Sequence, residues 1–384
     1  MPPVAVRILH AEAGPNAGTL ELALVAARAA LAERHRRGFL AAGAADVRVV
    51  AGLPDGISFG ERLRRLTAEA LGAGSGGLVV LGSGAIPLAT ERDRRTFVAA
   101  AAATGPAALA NNVYSADIVA LAGADLLRCL RELPDLPADN ALPRWLAEVA
   151  RVPVTALRRW RMGIDLDSPL DLLLTGRATD VARLRGAGID AGAVDARLAG
   201  VMAVLADRRG ELVLAGRTSA TTLRALERST ACRVRALVEE RGLRASSLLS
   251  LGGDGGGPDR RAAGSGTVAT LRPPRSTLGM LVDRDGPGAL GGLLAQLGDA
   301  AVVDTRVLLA HRYGAAEAGW PTAEDRFAAD LLLPDRIADP WLRSLVAGLR
   351  DAPIPILAGG HTLVGPGIRL LAAGAVPRPA ARRP

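Results

Sequence analysis

Lysine is absent from the 384 residues, so all 47 basic side chains are arginine. Aromatic residues make up only 3% of the chain. Single-stranded nucleic acid is bound on basic grooves lined with aromatic platforms, and this composition cannot supply them in number. The arginines are also scattered among Glu and Asp along apparent helices rather than gathered in runs. A nucleic-acid partner is therefore not expected. Cysteine is equally scarce: Cys129 and Cys232 lie in separate halves, outside any metal or redox spacing. No apolar run approaches the ~18 residues of a membrane span, so no membrane partner is expected. The opening Met1-Pro2-Pro3-Val4 has no basic segment followed by an apolar core, so no signal peptide is expected and a cytoplasmic location is the default.

What remains is 49% hydrophobic, with 45 glycines, 24 prolines and a net charge of +8. Buried cores must be built from Ala, Val, Leu and Ile, and the length suggests two domains. Arginine suits phosphate, because its planar fork donates two parallel hydrogen bonds. Nucleotide phosphates fit this chain better than a polynucleotide.

The first half alternates apolar strands with Ala/Leu/Arg helices, the rhythm of an α/β sheet. Val4–Leu9 reads as a strand, a helix is expected over about 19–42, and strands follow at 46–50 and 77–81. Gly60-Glu61-Arg62-Leu63 opens a further helix. The strand at 77–81 runs into Gly82-Ser83-Gly84-Ala85-Ile86-Pro87-Leu88, and ligands of open α/β sheets bind beyond such carboxyl ends. Thr90 is placed to cap the next helix. Residues 108–117 read as one strand ending in a polar turn. Its Asn111 and Asn112 can hydrogen-bond a base, a sugar or an amide, or can simply form the turn. Asp139-Asn140 is read as the cap of the helix carrying Trp145.

The basic run Arg158-Arg159-Trp160-Arg161 precedes Ile164-Asp165-Leu166-Asp167-Ser168-Pro169. On a strand this alternation puts both acids on one face and both aliphatic side chains on the other. Ser168-Pro169 then starts a helix, with proline in a first turn that needs no N–H. Two acids at a strand end can hold a divalent metal through oxygen, and they can equally be a solvated strand end. Arg161 beside them suits a metal–triphosphate complex or an Arg/Asp pair network at the sheet edge.

Taken together, these turns resemble the nucleotidyltransferase-type glycosyltransferase A fold, which includes the guanylyl- and cytidylyltransferases of molybdenum-cofactor and coenzyme F420 synthesis. Leu81–Leu88 resembles the family's middle-strand turn. Gly60-Glu61-Arg62 resembles the Gly-Glu-Arg element of a small group within the superfamily. Asp165-Leu166-Asp167-Ser168-Pro169-Leu170-Asp171-Leu172 matches its Asp-x-Asp-Thr-Pro-x-Asp-Leu motif. The resemblance covers about residues 1–180. It implies an α/β, nucleotide-diphospho-sugar-transferase-like three-layer sandwich that transfers a nucleoside monophosphate from a nucleoside triphosphate to a phosphorylated small metabolite. It further implies Mg²⁺ at Asp165 and Asp167, with Asp117 as a third acid, nucleotide contacts from Gly82, Ser83, Gly84, Asn111 and Asn112, and a catalytic role for Arg161. Two features depart from the pattern. The family's glycine-rich basic loop is not evident in residues 10–18, and Gly84 or Ala85 stands where the family has a metal-binding aspartate. A non-catalytic nucleotide-binding protein of the same fold is the alternative.

Residues 181–208 read as a helical linker and 209–376 as a second α/β domain. Its polar strand ends, Gly216–Ser219, Asp304–Arg306 and Gly359–Thr362, could meet at one sheet edge. His361 is the most site-like histidine, as acid, base or phosphate donor. With Asp304 and Arg217 it offers a second alternative, a site for a phosphorylated metabolite in this half. Residues 252–266 read as a low-complexity loop and 377–384 as a disordered tail.

Overall fold

The computed structural model describes residues 2–136, 141–189, 192–240 and 274–375. The Asp139-Asn140 cap, the 252–266 loop and the 377–384 tail lie outside the described residues. The chain forms two compact units, Met1–Ile189 and Asp190–Pro384. Residues 181–208 are shared between them: the helix Ala178–Gly186 ends the first unit, and the helix Gly192–Ala206 buries Val194, Val201 and Leu205 in the second. No helix of the described residues is long and apolar enough to cross a membrane.

The first unit is a six-stranded mixed sheet in the order β2-β1-β3-β5-β4-β6. Its strands are β1 (Val4–Ala11), β2 (Asp46–Gly52), β3 (Gly77–Gly82), β4 (Ala107–Ala110), β5 (Ile118–Ala122) and β6 (Val154–Ala156). β1 pairs in parallel with β2 and β3, β4 pairs in parallel with β6, and β5 alone runs antiparallel to both its neighbours. Period-2 alternation explains the two cores. Val4, Val6 and Ile8 pack on one face with Phe39 and Phe97, while Ala5, Leu78 and Val80 pack on the other with Leu63, Leu126 and Leu142. Arg7 is fully buried in β1 and its guanidinium reaches Asp46 at 2.9 Å and Glu69 at 3.3 Å.

Two local expectations are corrected. Residues 108–117 are not one strand: β4 ends at Ala110 and a turn reverses the chain into β5, because Asn111 and Asn112 serve as turn formers. The 164–166 segment is not a strand but a single antiparallel bridge between Ala85 and Asp165. Its alternation survives even so, with Ile164 and Leu166 buried and Asp165 and Asp167 half-buried. The Gly-Glu-Arg element has a packing reason. A side-chain carbon on Gly60 would lie 2.3 Å from the Pro134 carbonyl oxygen, so only glycine lets the helix Phe59–Gly72 approach that loop.

The second unit is a four-stranded, wholly parallel sheet in the order β10-β9-β7-β8, from β7 (Glu211–Gly216), β8 (Arg233–Val238), β9 (Ala300–Asp304) and β10 (Ile356–Gly359). The chain leaves β7 to one side for β8 and returns on the other side for β9, so the strand order reverses between β7 and β9.

Candidate functional site

In the first unit the order reverses between β1 and β3, and the crevice lies beyond their carboxyl ends. His10 near the end of β1 and Ser83 after β3 span it, with Nδ1 and Oγ 3.0 Å apart. Burial pulls the His10 proton affinity below the usual imidazole range, with Glu12 opposing and Arg28 assisting. The backbone of Ser83 is tied down as well, its N–H donating to the Leu9 carbonyl at 2.8 Å.

The turn after β3 is strained and closely packed. Ile86 is fully buried with φ of 45°, a left-handed conformation rare for a β-branched residue. A side-chain carbon on Gly84 would fall 2.8 Å from Asp165 Oδ1 and 3.1 Å from both Arg28 Nε and the Leu166 carbonyl. The Leu166 N–H donates to the Gly84 carbonyl at 3.1 Å and also to Asp165 Oδ1 at 2.8 Å. The turn and the Asp165–Asp167 segment are thus stitched together, and an Asp165 oxygen stands within a bond or two of where a residue-84 side chain would project.

Asp165 holds its proton well above the usual carboxylate range. Burial is the largest cause, and the charges of Asp167 and Asp117 add to it while Arg28 opposes. Arg28, from the helix Thr19–Ala41, donates through Nε to the Leu166 carbonyl at 2.7 Å and brings Nη2 to 3.6 Å from Asp167 Oδ1. Asp171 serves as a helix cap: its Oδ2 accepts from the Ser168 N–H at 2.7 Å and the Asp167 N–H at 2.9 Å. That fixes the backbone that presents Asp167. Asp117 is held by Asn111, whose Nδ2 donates to Asp117 Oδ2 at 2.7 Å and to the Met162 carbonyl at 2.9 Å, and whose Oδ1 accepts the Asp117 N–H at 3.0 Å. The Gly82 N–H reaches the Asp117 carbonyl at 3.2 Å. Asp165, Asp167, Asp117, Gly82, Ser83, Gly84 and Asn111 therefore share one neighbourhood.

Asn112 instead closes its own turn, accepting the Tyr114 N–H at 3.0 Å. Arg161 is committed elsewhere. Its Nη2 donates to both oxygens of the fully buried Asp93, at 2.8 and 2.5 Å, and Arg159 pairs with the same carboxylate. Asp93 also accepts the Thr90 N–H and hydroxyl at 2.7 Å, completing the cap of the helix Glu91–Ala101. Burial would raise its proton affinity, but the bonds from Thr90, Arg161 and Arg159 outweigh it and bring the pKa down to about 2. His361 belongs to the second unit.

Among the described residues no three His, Cys, Asp or Glu side chains gather as a ready-made metal site. Mg²⁺ does not require that, since it commonly keeps waters and takes one or two carboxylates together with substrate phosphates. Asp165 and Asp167, two half-buried carboxylates of which the second raises the proton affinity of the first, fit that smaller role. A separate cavity lined by Leu126, Trp145, Val149 and Pro153 lies toward the opposite edge of the sheet, near the amino end of β4.

In the second unit, Arg217 after β7 grips the buried Asp304 at the end of β9, Nε to Oδ2 at 2.6 Å and Nη2 to Oδ1 at 3.0 Å. Burial would raise the Asp304 proton affinity; the charge and hydrogen bonds of Arg217, then the charges of His361 and Arg306, bring it below the usual carboxylate range. Gly216, at φ of 128°, is required here, because a side-chain carbon would lie 2.2 Å from Asp304 Cβ. Arg306 forms a second forked pair with the buried Asp330, at 2.7 and 2.6 Å. The hydroxyls of Thr218 and Thr362, both buried, have no hydrogen-bond partner among the described residues.

Motif reading missed Arg28, Asp93 and Asp330 as paired groups, and named Arg306 only as part of a polar strand end. No local signal marks them, since in a chain whose only cation is arginine each Arg–Asp pair is set by tertiary contact.

No protein-family model and no curated protein matches the chain. Among solved structures, it is similar to a Desulfovibrio desulfuricans G20 protein named "putative nucleotide-diphospho-sugar transferase", at 18% identity over 48% of this chain and 95% of that one, with a TM-score of 0.34. At that score the likeness decides nothing about chemistry.

Proposed function

We propose that the first unit binds a nucleoside triphosphate with Mg²⁺ at the carboxyl edge of β1 and β3 and transfers the nucleoside monophosphate to a phosphorylated small metabolite. The observation that supports this most is the packing of Asp165 against Gly84 beside Asp167 and Asp117. The resemblance puts an acid at position 84 or 85, and the Asp165 carboxylate occupies the space that a side chain at 84 would enter. Asp165 and Asp167 would hold the ion, which when bound neutralises negative charge on the triphosphate. The chain's own groups do the rest. Asp171 fixes the backbone of Asp167, Asn111 orients Asp117, and Arg28 keeps the Leu166 carbonyl and the Asp167 carboxylate in register. Ser83, oriented by His10, is a hydroxyl donor at the mouth of the crevice. The acceptor phosphate attacks the α-phosphate in line, and pyrophosphate leaves.

The test is binding of nucleoside triphosphates by the full chain with and without Mg²⁺, followed by pyrophosphate release across phosphorylated acceptors. Mg²⁺-dependent binding that disappears in Asp165→Asn supports the transferase reading. Mg²⁺-independent binding with no pyrophosphate release favours the non-catalytic alternative, a nucleotide-binding protein of this fold.

One observation favours a second reading, a small-molecule site in the second unit. The unpartnered Thr218 and Thr362 hydroxyls lie at the carboxyl ends of β7 and β10, the edge where Arg217, Asp304 and His361 also stand. Turnover of a phosphorylated metabolite that falls in His361→Ala and is unchanged in Asp165→Ala is the result this reading requires.

A further inference from the structure

Two helices of the first unit and the residue before a third bring three arginines together with fewer acids to oppose them. Arg34 lies on the helix Thr19–Ala41, Arg94 on the helix Glu91–Ala101, and Arg177 precedes the helix Ala178–Gly186; the long helix packs against the other two. All three side chains are half-buried. Arg34 Nη2, Arg94 Nε and Arg177 Nε are shielded from solvent and have no hydrogen-bond acceptor among the described residues. Among the described residues no carboxylate lies within ion-pair reach of the three. Asp180, whose charge acts on Arg34, pairs through Oδ1 with Arg183 at 2.7 Å and keeps a buried Oδ2 without a hydrogen-bond partner, one acceptor against three arginines, and Asp93 is taken by Arg159 and Arg161. Arg94 lies across Gly38, where a side-chain carbon would come within 2.7 Å of its Nε.

Such a cluster is costly as it stands. Guanidinium groups close enough to act on one another repel, and buried N–H donors without acceptors lose their hydration for nothing. Burial, then the neighbouring arginines Arg177, Arg183 and Arg94 against the pull of Asp180, weaken the hold of Arg34 on its proton; burial and Arg177, opposed by Asp93, do the same to Arg94. His35 sits in the same field. Burial drives it down to about 3, with Arg94, Arg34 and Arg177 adding to the effect, so it is neutral and donates Nε2–H to the Ala85 carbonyl at 2.8 Å. A multiply charged oxyanion would remove the repulsion and supply the missing acceptors, and forked guanidinium donors match phosphate oxygens best.

We propose that Arg34, Arg94 and Arg177 form a binding site for a phosphate-bearing small anion, distinct from the Asp165 carboxylates. The site touches the strained turn through its carbonyls. Arg177 Nη2 donates to the Pro87 carbonyl at 3.0 Å, and His35 donates to that of Ala85.

The proposal stands independently of the transferase reading and is tested without divalent metal. Pyrophosphate and inorganic phosphate are titrated into the full chain in EDTA by calorimetry, with thermal unfolding in parallel. The expected result is saturable, salt-sensitive binding that raises the melting temperature. It weakens at least tenfold in Arg34→Gln/Arg177→Gln and is unchanged in Asp165→Asn. Without anion the double variant should melt no lower than the wild type, since repulsion is relieved, which separates lost binding from lost folding. Arg94→Lys, which keeps charge but loses the fork, should bind more weakly than wild type and more tightly than the double variant. No binding at millimolar pyrophosphate overturns the proposal, as does binding that survives the arginine changes but vanishes in Asp165→Asn. Binding of polyglutamate in place of either phosphate probe would also overturn it and make the cluster a peptide-docking surface.

Discussion

Asp165 Oδ1 stands 2.8 Å from the point where a side-chain carbon on Gly84 would be placed. The two residues are 81 positions apart in sequence (165 − 84) and define the floor of the crevice between β1 and β3. Any side chain at 84 must displace the carboxylate, Arg28 or the Leu166 carbonyl. Gly82, two residues earlier, has nothing within 4 Å of the same construction.

Gly84→Ala should therefore destabilise the protein by on the order of 1–3 kcal/mol, because one obstructing atom is backbone, while Gly82→Ala stays within ~0.5 kcal/mol. Chemical denaturation of both variants checks this. Equal effects would mean that the Asp165 carboxylate does not occupy that space.

Asp165 and Asp93 should give pH dependences of opposite sign. The Asp93 carboxyl is held at about 2, below its usual 3.8. Its stabilisation is full above about pH 4 and is lost as pH falls toward 2. Asp93→Asn should be less stable than wild type at pH 7, with the gap closing in acid. Asp165 is raised above 3.8, so its ionisation costs stability as pH rises through and beyond that value. Asp165→Asn should be more stable than wild type at neutral pH, with the gain vanishing below about pH 3.8. Melting temperatures of the three proteins between pH 2.5 and 8 decide it, and a loss of stability in Asp165→Asn at pH 7 would contradict the strain assigned to that carboxylate.

In the second unit, Arg217→Ala leaves Asp304 buried without its forked partner, at a cost of roughly 3–5 kcal/mol. Removing both partners should cost less than the sum of the single changes. A double-mutant cycle by urea unfolding measures the difference, and simple additivity would show that the pair is not coupled.

The strands were the most legible part of the chain. β3, β7 and β9 are short apolar runs bounded by glycine or a polar turn, and few other structures can bury such segments on both faces. β5 was hidden because Ala-rich residues 107–122 carry no strong turn signal except Asn111-Asn112, whose amides could also have been ligand contacts. Period-2 reading placed Asp165 and Asp167 on one side correctly, yet took a lone bridge for a strand. Arg161 was legible only as one of two alternatives, and the structure gives it the Arg/Asp pair rather than the triphosphate. Its partner Asp93 lies 68 residues away and looked like an ordinary acid in a helix's first turn. Asp171 was legible only as a motif letter; its task of capping a helix and thereby presenting Asp167 emerges from two backbone N–H bonds.

The most direct test of the central claim is nucleoside triphosphate binding to wild type and Asp165→Asn, each with Mg²⁺ and with EDTA. Wild-type binding that requires Mg²⁺, and falls at least tenfold in Asp165→Asn while the variant stays folded, is the predicted result. Equal binding by the two proteins, or binding indifferent to Mg²⁺, would contradict a metal–nucleotide site at Asp165 and Asp167.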